Sequence, residues 1–121
     1  MNVLIVDDLS FMRSVIGEMI NGAGFTVIGE AVDGIDALNK FKKLKPDVII
    51  LDITMPVMDG LQALEEIKKI DSESKIVMCS SMSDQDNIIR AIQLGASDFV
   101  VKPFKKSRMI SAIRKALAID E

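Results

Sequence analysis

Short β-branched apolar runs alternate along the chain with longer stretches in which apolar residues recur every three or four positions. Val3-Leu4-Ile5-Val6 has the length and uniformity of a buried strand. Phe11, Met12, Val15, Ile16, Met19 and Ile20 then follow helical spacing, with Gly22 and Gly24 stopping the helix. Thr26 to Ala31 predicts a second strand. Ile35, Leu38 and Phe41 mark a second helix, ended by the lysines before Pro46. Val48-Ile49-Ile50-Leu51, the most uniformly apolar run, predicts a strand at the sheet centre, covered on both faces. Leu61, Leu64, Ile67 and Ile70 form the stripe of a third helix, and Ile76-Val77-Met78-Cys79 a fourth strand. Ile88 to Leu94 carries a fourth helix ended by Gly95. Phe99-Val100-Val101 is a fifth strand, and a last helix after Pro103 bears Met109, Ile110, Ile113 and Leu117. Strand and helix in strict alternation imply an α/β domain: a parallel sheet with helices on both faces. No second domain or internal repeat interrupts residues 1–121, which predicts one unit.

Composition narrows the chemistry. A 121-residue chain that is 49% hydrophobic has material for one real core. A net charge of -3 argues against nonspecific nucleic-acid binding. With no histidine, imidazole catalysis and ordinary zinc sites are excluded. With no Trp or Tyr, base stacking would fall to five Phe residues in mostly apolar contexts. The single cysteine, Cys79, cannot form an internal disulfide and sits in an apolar strand, which fits core packing in a reducing compartment. No apolar run has bilayer-spanning length and no secretory leader opens the chain, so the expected location is the cytoplasm.

Ligands of open parallel sheets bind beyond the carboxyl ends of the strands, near the point where strand order reverses. Asp7 and Asp8 close the first strand here, Asp52 the third, Ser80 and Ser81 the fourth, and Lys102 the fifth. If the first and third strands are neighbours, three carboxylates converge beside a lysine and a hydroxyl. Such crowding demands a shared proton or a cation. A hard divalent ion with oxygen ligands suits it, and Mg²⁺ is the usual partner of a few carboxylates plus phosphate oxygens. Singly, these residues have ordinary readings: Asp8 or Ser10 as the cap of the first helix, Lys102 as a solvated lysine, Ser80 as a strand-end hydroxyl. Asp52, directly after a buried strand, is harder to dismiss, and their joint occurrence favours a site.

These residues, with Leu51-Asp52-Ile53-Thr54-Met55-Pro56-Val57-Met58-Asp59-Gly60 and Lys102-Pro103-Phe104, carry a resemblance over the whole chain. The chain resembles the receiver domains of two-component response regulators, most closely single-domain chemotaxis regulators. The resemblance implies a flavodoxin-like (βα)5 three-layer sandwich with strand order 2-1-3-4-5. It implies that Asp52 takes a phosphoryl group from a phosphohistidine of a histidine kinase. Asp8, Asp52 and the backbone carbonyl of Thr54 would ligate Mg²⁺, with Asp7 acting through a metal-bound water. Lys102 would pair with a phosphate oxygen after a cis Lys102-Pro103 bond. Ser80 would swing to the phosphate and Phe99 turn inward, switching the face of helix four, strand five and helix five. Ile88, Phe99, Val101, Lys105 and Arg108 would contact an output partner, such as a flagellar motor switch component or a fused output domain, and a phosphatase would be a further partner. The resemblance also implies that Met82 and Thr54 would occupy positions that, in the family, tune hydrolysis of the phosphoryl group.

By the residues alone, the cationic set Lys105, Lys106, Arg108, Arg114 and Lys115 fits a solvated helix face as well as a docking surface. The eight methionines fit core filling, with Met55, Met58 and Met82 near loops and within reach of a partner. A monomer is expected. The alternative placement is a receiver module of a longer transcriptional or other output regulator. An enzyme of the haloacid-dehalogenase type would need an acid where Thr54 stands. A dinucleotide protein would need the Gly-rich spacing that Gly29 and Gly34 do not provide. The expectation is therefore a phosphorelay acceptor with only self-catalysed phosphotransfer and autodephosphorylation.

Overall fold

The structure, a computed structural model, describes residues 1–81 and 85–118. Ten elements follow one another in strict β–α alternation: β1 (Asn2–Val6), α1 (Ser10–Asn21), β2 (Thr26–Ala31), α2 (Gly34–Leu44), β3 (Val48–Asp52), α3 (Gly60–Ile70), β4 (Ile76–Ser80), α4 (Gln85–Gln93), β5 (Asp98–Val101) and α5 (Lys106–Ala116). The strands form one parallel sheet in the order β2-β1-β3-β4-β5. β3 is central and every one of its residues is buried, as its uniform apolar run predicts.

Strand alternation divides the core in two. Leu4, Val6, Ile49, Leu51, Ile76 and Met78 point to one face, where Ala37 and Phe41 of α2, Ala63, Leu64 and Ile67 of α3 and Ala91 of α4 cover them. Val3, Ile5, Val48, Ile50, Val77 and Cys79 point to the other, beneath Ile16 and Ile20 of α1 and Met109, Ala112 and Ile113 of α5. The expected three-layer sandwich is present.

Several local expectations are corrected. Phe11 belongs to the periodic stripe of α1 yet is 75% exposed, and Ile35 and Ile70 are also exposed. Alanines supply the missing contacts, because a helix lying close against a sheet has room for small side chains there. Neither Asp8 nor Ser10 caps α1: its N-cap is Leu9, with no side-chain cap bond. Met55 is buried and Met58 is half-buried against the core, in line with core filling and away from a partner role. Met82 lies outside the described residues.

Two loop features govern how β3 delivers Asp52. α3 opens with a capping box, in which the Asp59 carboxylate accepts from Gln62 N and Gln62 Oε1 accepts from Asp59 N. Its first residue must be glycine, because a Cβ at Gly60 would lie 2.0 Å from the Asp52 carbonyl oxygen. Val57, at φ 68, occupies the left-handed region that a β-branched residue rarely enters. Its peptide turn is held by Met58 N donating to Pro56 O at 2.8 Å, and by Gly34 N donating to Met58 O at 2.9 Å.

Candidate functional site

The sheet gathers the acids at the carboxyl ends of its strands. β1 and β3 are direct neighbours, with Val6 opposite Leu51, so Asp7 and Asp8 emerge beside Asp52. One carboxylate oxygen from each of Asp7, Asp8 and Asp52 lies within 4.8 Å of the others. Asp7 is 1% and Asp52 7% exposed, whereas Asp8 faces solvent. From β5, Lys102 Nζ reaches Asp7 Oδ2 at 3.2 Å and Asp52 Oδ1 at 3.4 Å. The bond that follows, Lys102-Pro103, is cis. Its backbone is tied to β4, Lys102 N donating to Ser80 O at 2.7 Å.

One ammonium between two buried carboxylates leaves the cluster negative. Burial, the largest influence, pushes the Asp52 carboxyl up from 3.8 to about 6; Lys102 opposes this, while Asp7 and Asp8 add to it. For Lys102 the largest influence, burial, acts downward, but the carboxylates of Asp52 and Asp7 outweigh it and the ammonium is held above its ordinary range. Cys79, the cross-strand neighbour of Asp52, is fully buried and its thiol is pushed up by that burial. It is core, and no thiolate chemistry follows.

Ser80 ends β4 with its Oγ buried and, among the described residues, without a hydrogen-bond partner. An orphaned buried hydroxyl beside an anionic pocket is a donor and acceptor lacking its counterpart. The donor set is thus all oxygen and hard: three carboxylates, with Thr54 exposed two residues beyond β3. This fits Mg²⁺, which prefers few carboxylates plus waters and phosphate oxygens.

Residues 3–114 match the response regulator receiver domain family. The chain belongs to that family. Among curated receivers it is 51% identical to the chemotaxis protein CheY of Thermotoga maritima over 113 residues, covering 93% of this chain and 94% of the relative. It is 50% identical to the CheY of Bacillus subtilis over 115 residues, covering 95% and 96%. Among solved structures, a complex of CheX and CheY with BeF3 and Mg²⁺ from Borrelia burgdorferi matches at 33% identity and a TM-score of 0.89, covering 93% of this chain and 86% of that one. This receiver is therefore a phosphoacceptor signalling domain of the two-component type, close to the chemotaxis regulators.

The remaining expected residues lie away from the acids, on the α4–β5–α5 side. Ile88, Phe99 and Val101, all half-buried, line a groove of about 450 Å³ with Gln85 and Ile89. Lys105 and Arg108 are exposed. Arg108 is not a free charge: its guanidinium donates to Asp98 Oδ2 at 3.3 Å and to the Phe99 carbonyl oxygen at 2.6 Å. Sequence reasoning missed Arg13, whose Nη1 donates to Asp7 O at 2.7 Å and whose Nε donates to Glu30 Oε1 at 2.8 Å. Nothing in the spacing announces those contacts, since β2 reaches α1 only through the fold.

Proposed function

We propose that Asp52 is the phosphoacceptor of this receiver, and that its modification is read out on the α4–β5–α5 face. The observation that carries this is Lys102 Nζ seated between Asp7 and Asp52, beside a buried Ser80 hydroxyl that has no partner among the described residues. With its carboxyl raised only to about 6, Asp52 is mostly ionised near pH 7 and so nucleophilic. Its oxygen forms the new O–P bond as the N–P bond of a phosphohistidine on a histidine kinase breaks, the electron pair returning to the imidazole nitrogen. Phosphoryl transfer needs mainly positioning and charge neutralisation, which suits a site with no general base. Asp8, Asp52 and the Thr54 carbonyl would hold Mg²⁺ directly, with Asp7 acting through a bound water. The ion's contribution there is to neutralise charge on the phosphoryl oxygens.

Once the phosphoryl group is present, Lys102 leaves its carboxylate partners for a phosphate oxygen and Ser80 Oγ donates to another. Phe99 then turns inward from its groove, changing the surface that Ile88, Val101, Lys105 and Arg108 present. The output partner on this reading is a protein such as a flagellar motor switch component, in chemotaxis and in the cytoplasm; a phosphatase and self-catalysed hydrolysis at Asp52 reset it. The unit runs over residues 1–121.

The test is intact-mass analysis after acetyl phosphate and Mg²⁺. One phosphate adduct is expected, absent in Asp52→Asn. An adduct that survives in Asp52→Asn moves the acceptor elsewhere.

A further inference from the structure

Asp7 is held at every polar atom it owns. Its N–H donates to Ala31 O at 3.1 Å, which extends the β1–β2 ladder by one bond past Val6. Oδ1 accepts from Leu9 N at 2.9 Å and Oδ2 from Lys102 Nζ at 3.2 Å. Its carbonyl oxygen, where the ladder has ended, accepts from Arg13 Nη1 at 2.7 Å. That last bond comes from a side chain one turn into α1, and Arg13 Nε simultaneously donates to Glu30 Oε1 of β2 at 2.8 Å.

We propose that Arg13 is a positioning residue for the acid cluster: by holding the Asp7 carbonyl and the Glu30 carboxylate at once, it fixes the Asp7–Asp8 peptide and sets the affinity for a divalent cation. The peptide unit is planar, so an anchored Asp7 carbonyl also fixes the plane from which Asp8 departs. Asp8 is the exposed member of the cluster and depends most on that plane for its aim. Glu30 has two effects. Its carboxylate orients the guanidinium, and its charge cancels that of a cation that would otherwise repel a metal ion. Glu30 is itself steadied by Lys40, whose Nζ donates to the Glu30 carbonyl oxygen and pairs with Asp36 Oδ2 at 3.3 Å.

A bland reading is available, since the Glu30 side chain is half exposed and an exposed ion pair contributes little. That reading leaves the second bond, to a strand-end carbonyl, without a purpose. Only a forked guanidinium serves both acceptors; a lysine ammonium on the same stem serves one.

The inference rests on the cation reading of the acid cluster, and the sign of one measurement separates the possibilities. Mg²⁺ affinity is measured by calorimetry or by amide chemical-shift titration on wild type, Arg13→Ala and Arg13→Lys, with folding checked by circular dichroism. Deleting a positive charge near a cation site strengthens binding if charge alone matters. Positioning predicts the reverse: Arg13→Ala binds Mg²⁺ about tenfold more weakly, the size expected when an outer partner of a metal ligand is removed. Unchanged or tighter binding overturns the proposal. If Arg13→Ala does not fold, Arg13→Lys decides, because it keeps the charge: weaker binding supports positioning, and wild-type affinity overturns it. A wild-type protein that binds no Mg²⁺ removes the cation reading itself, a failure distinct from either.

Discussion

Asp52 is 7% exposed and carries a carboxyl whose burial, above all, raises it to about 6. The folded form therefore keeps a proton where the unfolded chain has lost it. Below about pH 4 the group is protonated in both states. As pH rises through about 6, the stability tied to that proton is lost, and above that the charge sits in place at full cost. Asp52→Asn should thus be more stable than wild type in metal-free buffer at pH 7 to 8, by on the order of 2 kcal/mol. The gap should close on going down to pH 4. Urea unfolding at a series of pH values checks it, and a constant difference would assign the effect to something other than this carboxyl. Lys102 keeps Asp7 as a partner in that variant, so no cation is stranded. Ser80 presents the neutral counterpart. Its buried hydroxyl has no partner among the described residues, and an unmet hydrogen bond there is costly, so Ser80→Ala should stabilise the unphosphorylated protein by about 1 kcal/mol. A loss of stability on thermal unfolding would mean that the hydroxyl already has a partner.

At the scale of elements, the junction of β3 and α3 decides how Asp52 is aimed. Gly60 N donates to Ile53 O at 2.7 Å, and the missing Cβ leaves room for the end of β3. In Gly60→Ala the new carbon would run into the Asp52–Ile53 backbone, with the Ile53 Cα at 2.7 Å, and those atoms are main chain rather than a side chain that can give way. The expected cost is about 3 kcal/mol in urea unfolding, together with loss of the acetyl phosphate adduct. Wild-type stability would show that the helix start can slide. Element identity was legible in the sequence because periodicity is local: all ten elements fall where the apolar runs and stripes put them. The faces were less legible. Phe11, Ile35 and Ile70 satisfy helical spacing and yet are exposed, while Ala37, Ala63 and Ala112 do the packing. Spacing identifies a stripe but not how near the sheet lies beneath it. The start of α1 goes without an acidic cap for a related reason: Asp7 takes the Leu9 N–H, and Asp8 turns to the acid cluster.

For the whole molecule, a cation held by the acid cluster would couple ion binding to folding. The three carboxylates come from β1 and β3 and meet only in the native state, so a cation that binds them stabilises that state by mass action. Saturating Mg²⁺, at about a hundred times its dissociation constant, should add roughly 3 kcal/mol to the unfolding free energy. The denaturant midpoint should rise with the slope unchanged, and chelation should reverse it. Asp8→Asn should lose most of that increment. An increment equal to wild type in Asp8→Asn would place the ion elsewhere.

The sequence by itself determined the alternation of elements, the central buried strand, and the residue types at each strand end, since these depend on neighbours along the chain. It also carried the family's set of acids, hydroxyl and lysine, each at a strand end. Only the tertiary structure decided that β1 lies beside β3, so that Asp7, Asp8 and Asp52 share one pocket with Lys102. It alone joined Arg13 to Asp7 and Glu30, and left the Ser80 hydroxyl without a partner among the described residues. Those relations depend on chain crossovers that bring distant residues within hydrogen-bonding reach, and no local pattern encodes such distances.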